Sequence, residues 1–134
     1  MNDTIARIIL YVLVVVHLFL GLWAIAGWIE WFVPDVFWSR ISNPLFDKTM
    51  LFIHWSAILV ASLLFLISFI LRSKYVPVLM TIIYSIMALL CAVQTFFYLE
   101  SESRYLAMVL EYAAYGLILF LLWRITFFRN YFSY

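Results

Sequence analysis

Four polar side chains that could do chemistry lie inside long apolar stretches of this chain, one in each stretch: His17, His54, Gln94 and Glu111. An ionisable side chain within a membrane costs roughly 2.5–3.5 kcal/mol on insertion scales and usually faces the protein interior. Imidazole, amide and carboxyl groups that meet in an apolar interior can bind a polar ligand head or a metal. These four residues are therefore the candidate site.

The spacing of neighbouring residues predicts that the four side chains face one another. Residues three, four and seven positions apart lie on one side of a helix. His17 shares its side with Gly21 and Ala24, and small residues are typical of contacts between membrane helices. Counted from the predicted outer helix ends, with about 1.5 Å of rise per residue, all four lie about 7–15 Å below the outer surface. The sequence thus predicts one polar layer and a pocket in the outer half of a helix bundle.

A quinone or another lipid-like ligand suits such a pocket, because a few convergent polar groups in an apolar wall are typical of small-molecule sites. His17 or His54 would hydrogen-bond to a ring carbonyl, and Glu111 would exchange a proton with the ligand. Further candidates for the binding site are Gln94, Tyr112, Tyr115 and Trp55.

Two other cofactors remain open at this point. His17 and His54 have similar predicted depths on antiparallel helices, so they could supply both axial nitrogens of a haem b. Imidazole and thioether groups also suit copper, and Met50 lies four residues before His54 on the same side of its helix. The cofactor is therefore predicted to be haem b or a quinone, with copper as the third option.

In a purely structural interpretation, the same residues hold the helices together and bind no ligand. Histidine would hydrogen-bond to glutamate or glutamine on a neighbouring helix and fix the helix register, with about 0.6 kcal/mol per pair on average in membranes. Two histidines, a carboxyl and an amide are more polar groups than register requires. The ligand site and the structural role both remain open.

The composition identifies the environment of these residues. The chain has 134 residues, of which 69% are hydrophobic and 11% are charged, whereas soluble domains average roughly 45–50% and about 25%. The formal net charge is only +1, which argues against a nucleic-acid partner. With one cysteine, Cys91, no intrachain disulfide can form. We expect a small multi-pass membrane protein whose main partner is the lipid bilayer.

The elements that must position the four residues are predicted to be four transmembrane helices. A stretch of about 20 apolar residues crosses a bilayer as a helix, and the apolar pattern predicts helices over 5–27, 47–72, 75–99 and 103–129 in a single domain, 1–134. Short connections favour an all-α, up-down-up-down four-helix bundle. Between the first two helices we expect an interfacial loop or short helix, rich in the aromatic residues Trp28, Trp31, Phe32, Phe37 and Trp38.

The charged residues predict the orientation. The side with both termini and the second connection carries five basic residues, Arg7, Arg72, Lys74, Arg124 and Arg129, against one acidic residue, Asp3. Short cytoplasmic segments of membrane proteins are enriched in Lys and Arg. Both termini are therefore predicted to be cytoplasmic, with the acidic loops outside.

One combination of residues resembles a known family. Arg7 ahead of an apolar first helix, Gly21 late in that helix, Pro34 in an aromatic loop and Arg72 closing the second helix are similar to the DoxX-type family of small four-helix membrane proteins. This resemblance implies a compact bundle that works as a membrane partner of redox or quinone-linked enzymes. His54 and Trp55 stand where the family is expected to have an acidic residue, so no catalytic residue is carried over.

Together these observations predict a redox-linked membrane subunit or accessory protein that binds a quinone-like ligand or haem b. The alternative is a structural subunit of a larger membrane complex. Other membrane subunits or further copies of the chain are the expected protein partners. An independent enzyme is less favoured, since 134 residues leave almost no extramembrane surface for catalysis.

Overall fold

The computed structural model of the chain describes residues 2–33 and 42–132. These residues form helices joined by turns and short connections, with no strand among them. The helices are α1 (Asp3–Phe32), α2 (Lys48–Leu71), α3 (Val76–Phe97), α4 (Arg104–Arg124) and α5 (Thr126–Tyr131). Four of them, α1 to α4, are long and apolar enough to cross a membrane, which confirms the predicted number of long helices.

The first helix is longer than the sequence predicted. It begins after Asn2, whose side chain accepts a hydrogen bond from the Thr4 amide at 3.0 Å, and it continues to Phe32 instead of ending at Gly27. Gly27 lies inside the helix because its missing side chain makes room for the indole of Trp55. Part of the predicted aromatic loop is therefore helix. Residues 42–47 form bends and a turn, and residues 34–41, which include Phe37 and Trp38, lie outside the described residues.

The second and third helices agree with the predicted ranges to within two residues. Asp47 caps α2 by accepting a hydrogen bond from the Met50 amide at 2.7 Å. Arg72 ends α2 in the left-handed conformation, with a φ of 49°. Pro77 lies in the first turn of α3, where the absent N–H of proline leaves no helical hydrogen bond unmade.

The fourth predicted helix is two helices. Ile125 is extended, with φ −85° and ψ 120°, and separates α4 from the six-residue helix α5. The change of direction allows Phe128 and Phe132 to be fully buried. The prediction of one helix over 103–129 was wrong because the apolar pattern continues unchanged across the bend.

Successive long helices pack side by side, and α5 packs against both α4 and α1. Gly21 of α1 faces the Ser62 side chain of α2. The apolar core surrounds Phe65, Phe128 and Leu122, toward the end of the molecule that holds α5. Within the described part of the chain, no Cα of α1 lies within 8 Å of a Cα of α4. The backbones of α1 and α4 are therefore further apart than those of helices adjacent in the chain, although Leu13 of α1 and Leu122 of α4 belong to one apolar core. This separation is called the α1–α4 gap.

Candidate functional site

A cavity of about 310 Å³ lies among the four long helices, at the lower end of the range of about 300–1,000 Å³ that ligand pockets occupy. Most of its wall is apolar. Its polar lining comes from all four helices and consists of His17, His54, Tyr84, Cys91, Gln94, Glu111 and Tyr115. The structure thus brings the four polar residues that the sequence singled out to one cavity.

Both ring nitrogens of His17 already have partners. Its Nδ1 lies 2.7 Å from the backbone oxygen of Leu13, and because a carbonyl only accepts, Nδ1 carries the proton and donates. Its Nε2 lies 2.9 Å from the hydroxyl of Tyr84 and accepts a hydrogen bond from it. The ring also stacks on Phe65, with centroids 4.0 Å apart. His17 is only 2% exposed, so its ring is fixed by burial and by contacts on both nitrogens.

His54 has one engaged nitrogen and one that is open. The Gln94 amide nitrogen lies 3.0 Å from His54 Nδ1 and 3.6 Å from the sulfur of Met50. A thioether only accepts hydrogen bonds, so Met50 is consistent with the amide N–H₂ group facing both residues. With the amide in this orientation, His54 Nδ1 accepts and Nε2 carries a proton. Among the described residues, no hydrogen-bond partner occupies that Nε2–H.

Glu111 is linked to His17 through two tyrosines that line the cavity. Its Oε1 accepts a hydrogen bond from the hydroxyl of Tyr115, one helical turn further along α4. The Tyr115 ring stacks on Tyr84 with centroids 4.6 Å apart, and Tyr84 in turn donates to His17. The polar groups of α1, α3 and α4 are therefore in continuous contact.

The polar residues form a column along the cavity rather than the single layer that the sequence predicted. Tyr84, the partner of His17, is ten residues before Gln94 on α3, which corresponds to about 15 Å along the helix. The prediction of equal depth was wrong because it placed the end of α1 at Gly27. With α1 extending to Phe32, His17 lies at the middle of its helix.

Three residues that the sequence proposed for the site do not line the cavity. Trp55 is 2% exposed, packs on Gly27 and donates from its indole nitrogen to the Ser42 hydroxyl at 3.2 Å. Met50 lies behind Gln94. The hydroxyl of Tyr112 donates to the backbone oxygen of Ala88 at 2.7 Å.

The donor set bears directly on the metal hypotheses. Within residues 2–33 and 42–132, no group of three or more His, Cys, Asp or Glu side chains is arranged to hold a metal ion. A haem with both histidines as axial ligands would require Tyr84 to release Nε2 of His17. In contrast, Nε2 of His54 is available to a hydrogen-bond acceptor without any rearrangement.

Tyr84 is the important residue that the sequence analysis missed. It lies seven residues before Cys91 and ten before Gln94, so helical spacing places all three on one side of α3. A tyrosine in an apolar stretch did not attract notice, because tyrosine is common in membrane helices near the interface.

Comparisons of the chain with models of protein families, with curated proteins and with solved structures find no match. The interpretation of the cavity accordingly depends on its own geometry.

Proposed function

We propose that this chain is an integral membrane protein that binds a quinone-like ligand in its central cavity. The observation that carries the proposal is that His54, whose Nε2 has no hydrogen-bond partner among the described residues, and Glu111 line the same mostly apolar cavity of about 310 Å³. Such a cavity accepts an apolar ring that carries a few polar atoms.

The two groups match both redox forms of a quinone. A carbonyl oxygen of the oxidised ring accepts a hydrogen bond from His54 Nε2–H. A hydroxyl group of the reduced ring donates one to the carboxyl group of Glu111, which also accepts from Tyr115. Glu111 is also the group that exchanges a proton with the ligand. The role of the chain is that of a small redox-linked subunit or accessory protein, with the chemistry completed by a membrane partner.

The proposed arrangement in the bilayer is an up-down-up-down bundle with both termini in the cytoplasm. Short connections between α2 and α3 and between α3 and α4 support it. Asp3 and Arg124 line one groove, so the start of α1 and the end of α4 are close together. Membership of the DoxX-type family, and the association with other membrane subunits or with further copies, stay predictions.

The experiment is a binding titration of the purified chain in lipid nanodiscs with a decyl-tailed benzoquinone, followed by quenching of tryptophan fluorescence. We expect saturable binding that His54→Phe weakens by roughly ten-fold or more, because the donor to the carbonyl is lost. Glu111→Gln should weaken binding of the reduced probe more than that of the oxidised probe.

A matched control removes a hydroxyl that does not face the cavity. Ser85 donates to the backbone of its own helix, at the Thr81 oxygen, so Ser85→Ala should bind like the unsubstituted chain. Binding that is not saturable, or equal affinity in His54→Phe, contradicts the proposal. If the absorption spectrum of the purified chain showed a reduced haem band, the ligand of the cavity would be haem b and not a quinone.

The structural role remains the second candidate, and one observation favours it. The polar groups largely satisfy one another, through the pairs His17 with Tyr84, His54 with Gln94, and Glu111 with Tyr115. In that case the His54 and Glu111 substitutions would lower the stability of the chain, and no saturable binding would be seen with or without them. The binding titration separates the two roles.

A further inference from the structure

The wall of the cavity is incomplete on one side. In the described part of the chain, no Cα of α1 lies within 8 Å of a Cα of α4, whereas each long helix packs closely on its neighbour in the chain. Both helices nevertheless contribute lining residues, among them Leu20 of α1 and Ile118 of α4. Val16 of α1 and Ala114 of α4 line the cavity and are exposed, so the cavity reaches the surface between these two helices.

Aromatic and aliphatic side chains pack beyond both ends of the cavity. Toward α5, Leu122, Phe128 and Phe132 are fully buried. Toward the opposite end, the Phe46 ring contacts His54 and Tyr98, with centroids 5.6 Å and 5.5 Å apart.

The sides of the gap are apolar and exposed. Val16 on α1 is 41% exposed although it lines the cavity, and Ala114 on α4 is also exposed and lines it. In an apolar helix bundle this surface faces lipid. The gap therefore leads from the polar groups of the cavity to the hydrocarbon region.

We propose that a ligand with a long apolar tail enters the cavity sideways through the α1–α4 gap and leaves its tail there. This inference depends on the proposed function, and it narrows the ligand to a lipid-tailed quinone. The cavity of about 310 Å³ is at the small end of ligand pockets, of about 300–1,000 Å³, so it holds a ring head and has no room for a long tail. The tail lies against Val16 and Leu20 on one side, and against Ala114 and Ile118 on the other.

The first experiment is photo-crosslinking in nanodiscs with a quinone that carries a diazirine midway along its tail. We expect the label on α1 and α4, at residues that flank the gap, and we expect its loss when excess unlabelled decyl-tailed quinone is added. Competable label on the lipid-facing sides of α2 and α3 would overturn the gap as the path of the tail, while leaving the proposed binding of a quinone intact. No competable label anywhere would contradict both.

The second experiment narrows the gap. Ala114→Phe places an aromatic ring between the helices, and Ala113→Phe is the matched control, since Ala113 is exposed but does not line the cavity. We expect association of the decyl-tailed quinone to be roughly ten-fold slower in Ala114→Phe than in Ala113→Phe. A tailless benzoquinone should differ by no more than about two-fold between the two variants. Equal association rates for the tailed probe, or equal slowing of both probes, would overturn the proposal.

Discussion

Each histidine of the cavity is limited by the hydrogen bonds that its ring already makes. His17 donates to a backbone oxygen and accepts from Tyr84, so it holds α1 against α3 and has no nitrogen left for a ligand. His54 accepts from Gln94 and keeps one N–H for the cavity. The two histidines therefore differ in their capacity to bind a ligand. The difference comes from their neighbours, Tyr84 for His17 and Gln94 for His54.

Gly27 offers a direct test of packing at the scale of one residue. A Cβ at this position would collide with the Trp55 indole, which is anchored to Ser42. Gly27→Ala should therefore lower the free energy of unfolding by about 1–3 kcal/mol, as is typical of overpacking. Because Cys91 is buried and is the only cysteine of the chain, a thiol-reactive fluorophore added during heating in detergent reports the unfolding temperature.

The matched control for that variant is Gly116→Ala. Nothing lies within 4 Å of a Cβ built at Gly116, and alanine is a better helix former than glycine by about 1 kcal/mol. Its unfolding temperature should equal or exceed that of the unsubstituted chain. If Gly27→Ala were as stable as Gly116→Ala, the close contact between Gly27 and Trp55 would be wrong.

At the scale of elements, the positions of the helix ends decide how the site is built. The apolar pattern predicted four long helices, because hydrophobic length is a direct signal of a membrane span. The apolar pattern could not locate the end of α1. A glycine inside a packed helix cannot be distinguished by residue type from a glycine that follows the end of a helix. The bend at Ile125 also has no sequence signal, because it depends on space that α1 leaves for Phe128 and Phe132.

The same reasoning explains what could be predicted of the site. Charged and polar residues in apolar stretches stand out by their cost, so His17, His54, Gln94 and Glu111 were identified and the cavity contains all four. The predicted depths of these residues were wrong, because α1 ends at Phe32 and not at Gly27 as predicted. Tyr84 was missed, because its function comes from the neighbouring His17 and not from its own residue type.

The short helix α5 provides a test at the element scale. Phe128 is fully buried where α5 meets the core, whereas Phe120 on α4 is 54% exposed. Phe128→Ala should lower the free energy of unfolding by about 3–5 kcal/mol, since it leaves a cavity among close-packed side chains. Phe120→Ala removes the same side chain from the surface and should have a much smaller effect. Equal unfolding temperatures for the two variants, measured through Cys91, would show that α5 does not pack on the bundle.

At the scale of the whole molecule, the charges and the contacts between chain ends point to the same arrangement. The Arg72 guanidinium at the end of α2 lies 5.2 Å from the centre of the Tyr131 ring in α5, and Asp3 lines one groove with Arg124. The start of α1, the α2–α3 connection and the last helix are therefore neighbours. This end holds five of the eight basic residues of the chain.

The orientation follows from that asymmetry and can be measured with single cysteines. Because short basic segments stay in the cytoplasm, Glu102→Cys should react with a membrane-impermeant maleimide in intact cells, and Lys74→Cys should react only after the cells are permeabilised. Both positions are exposed, and the unsubstituted chain is the control, since its Cys91 is buried. The reverse pattern would place the termini outside. Labelling of both variants in intact cells would mean that the two connections share one side, which contradicts an up-down bundle and with it a cavity that lies within the bilayer.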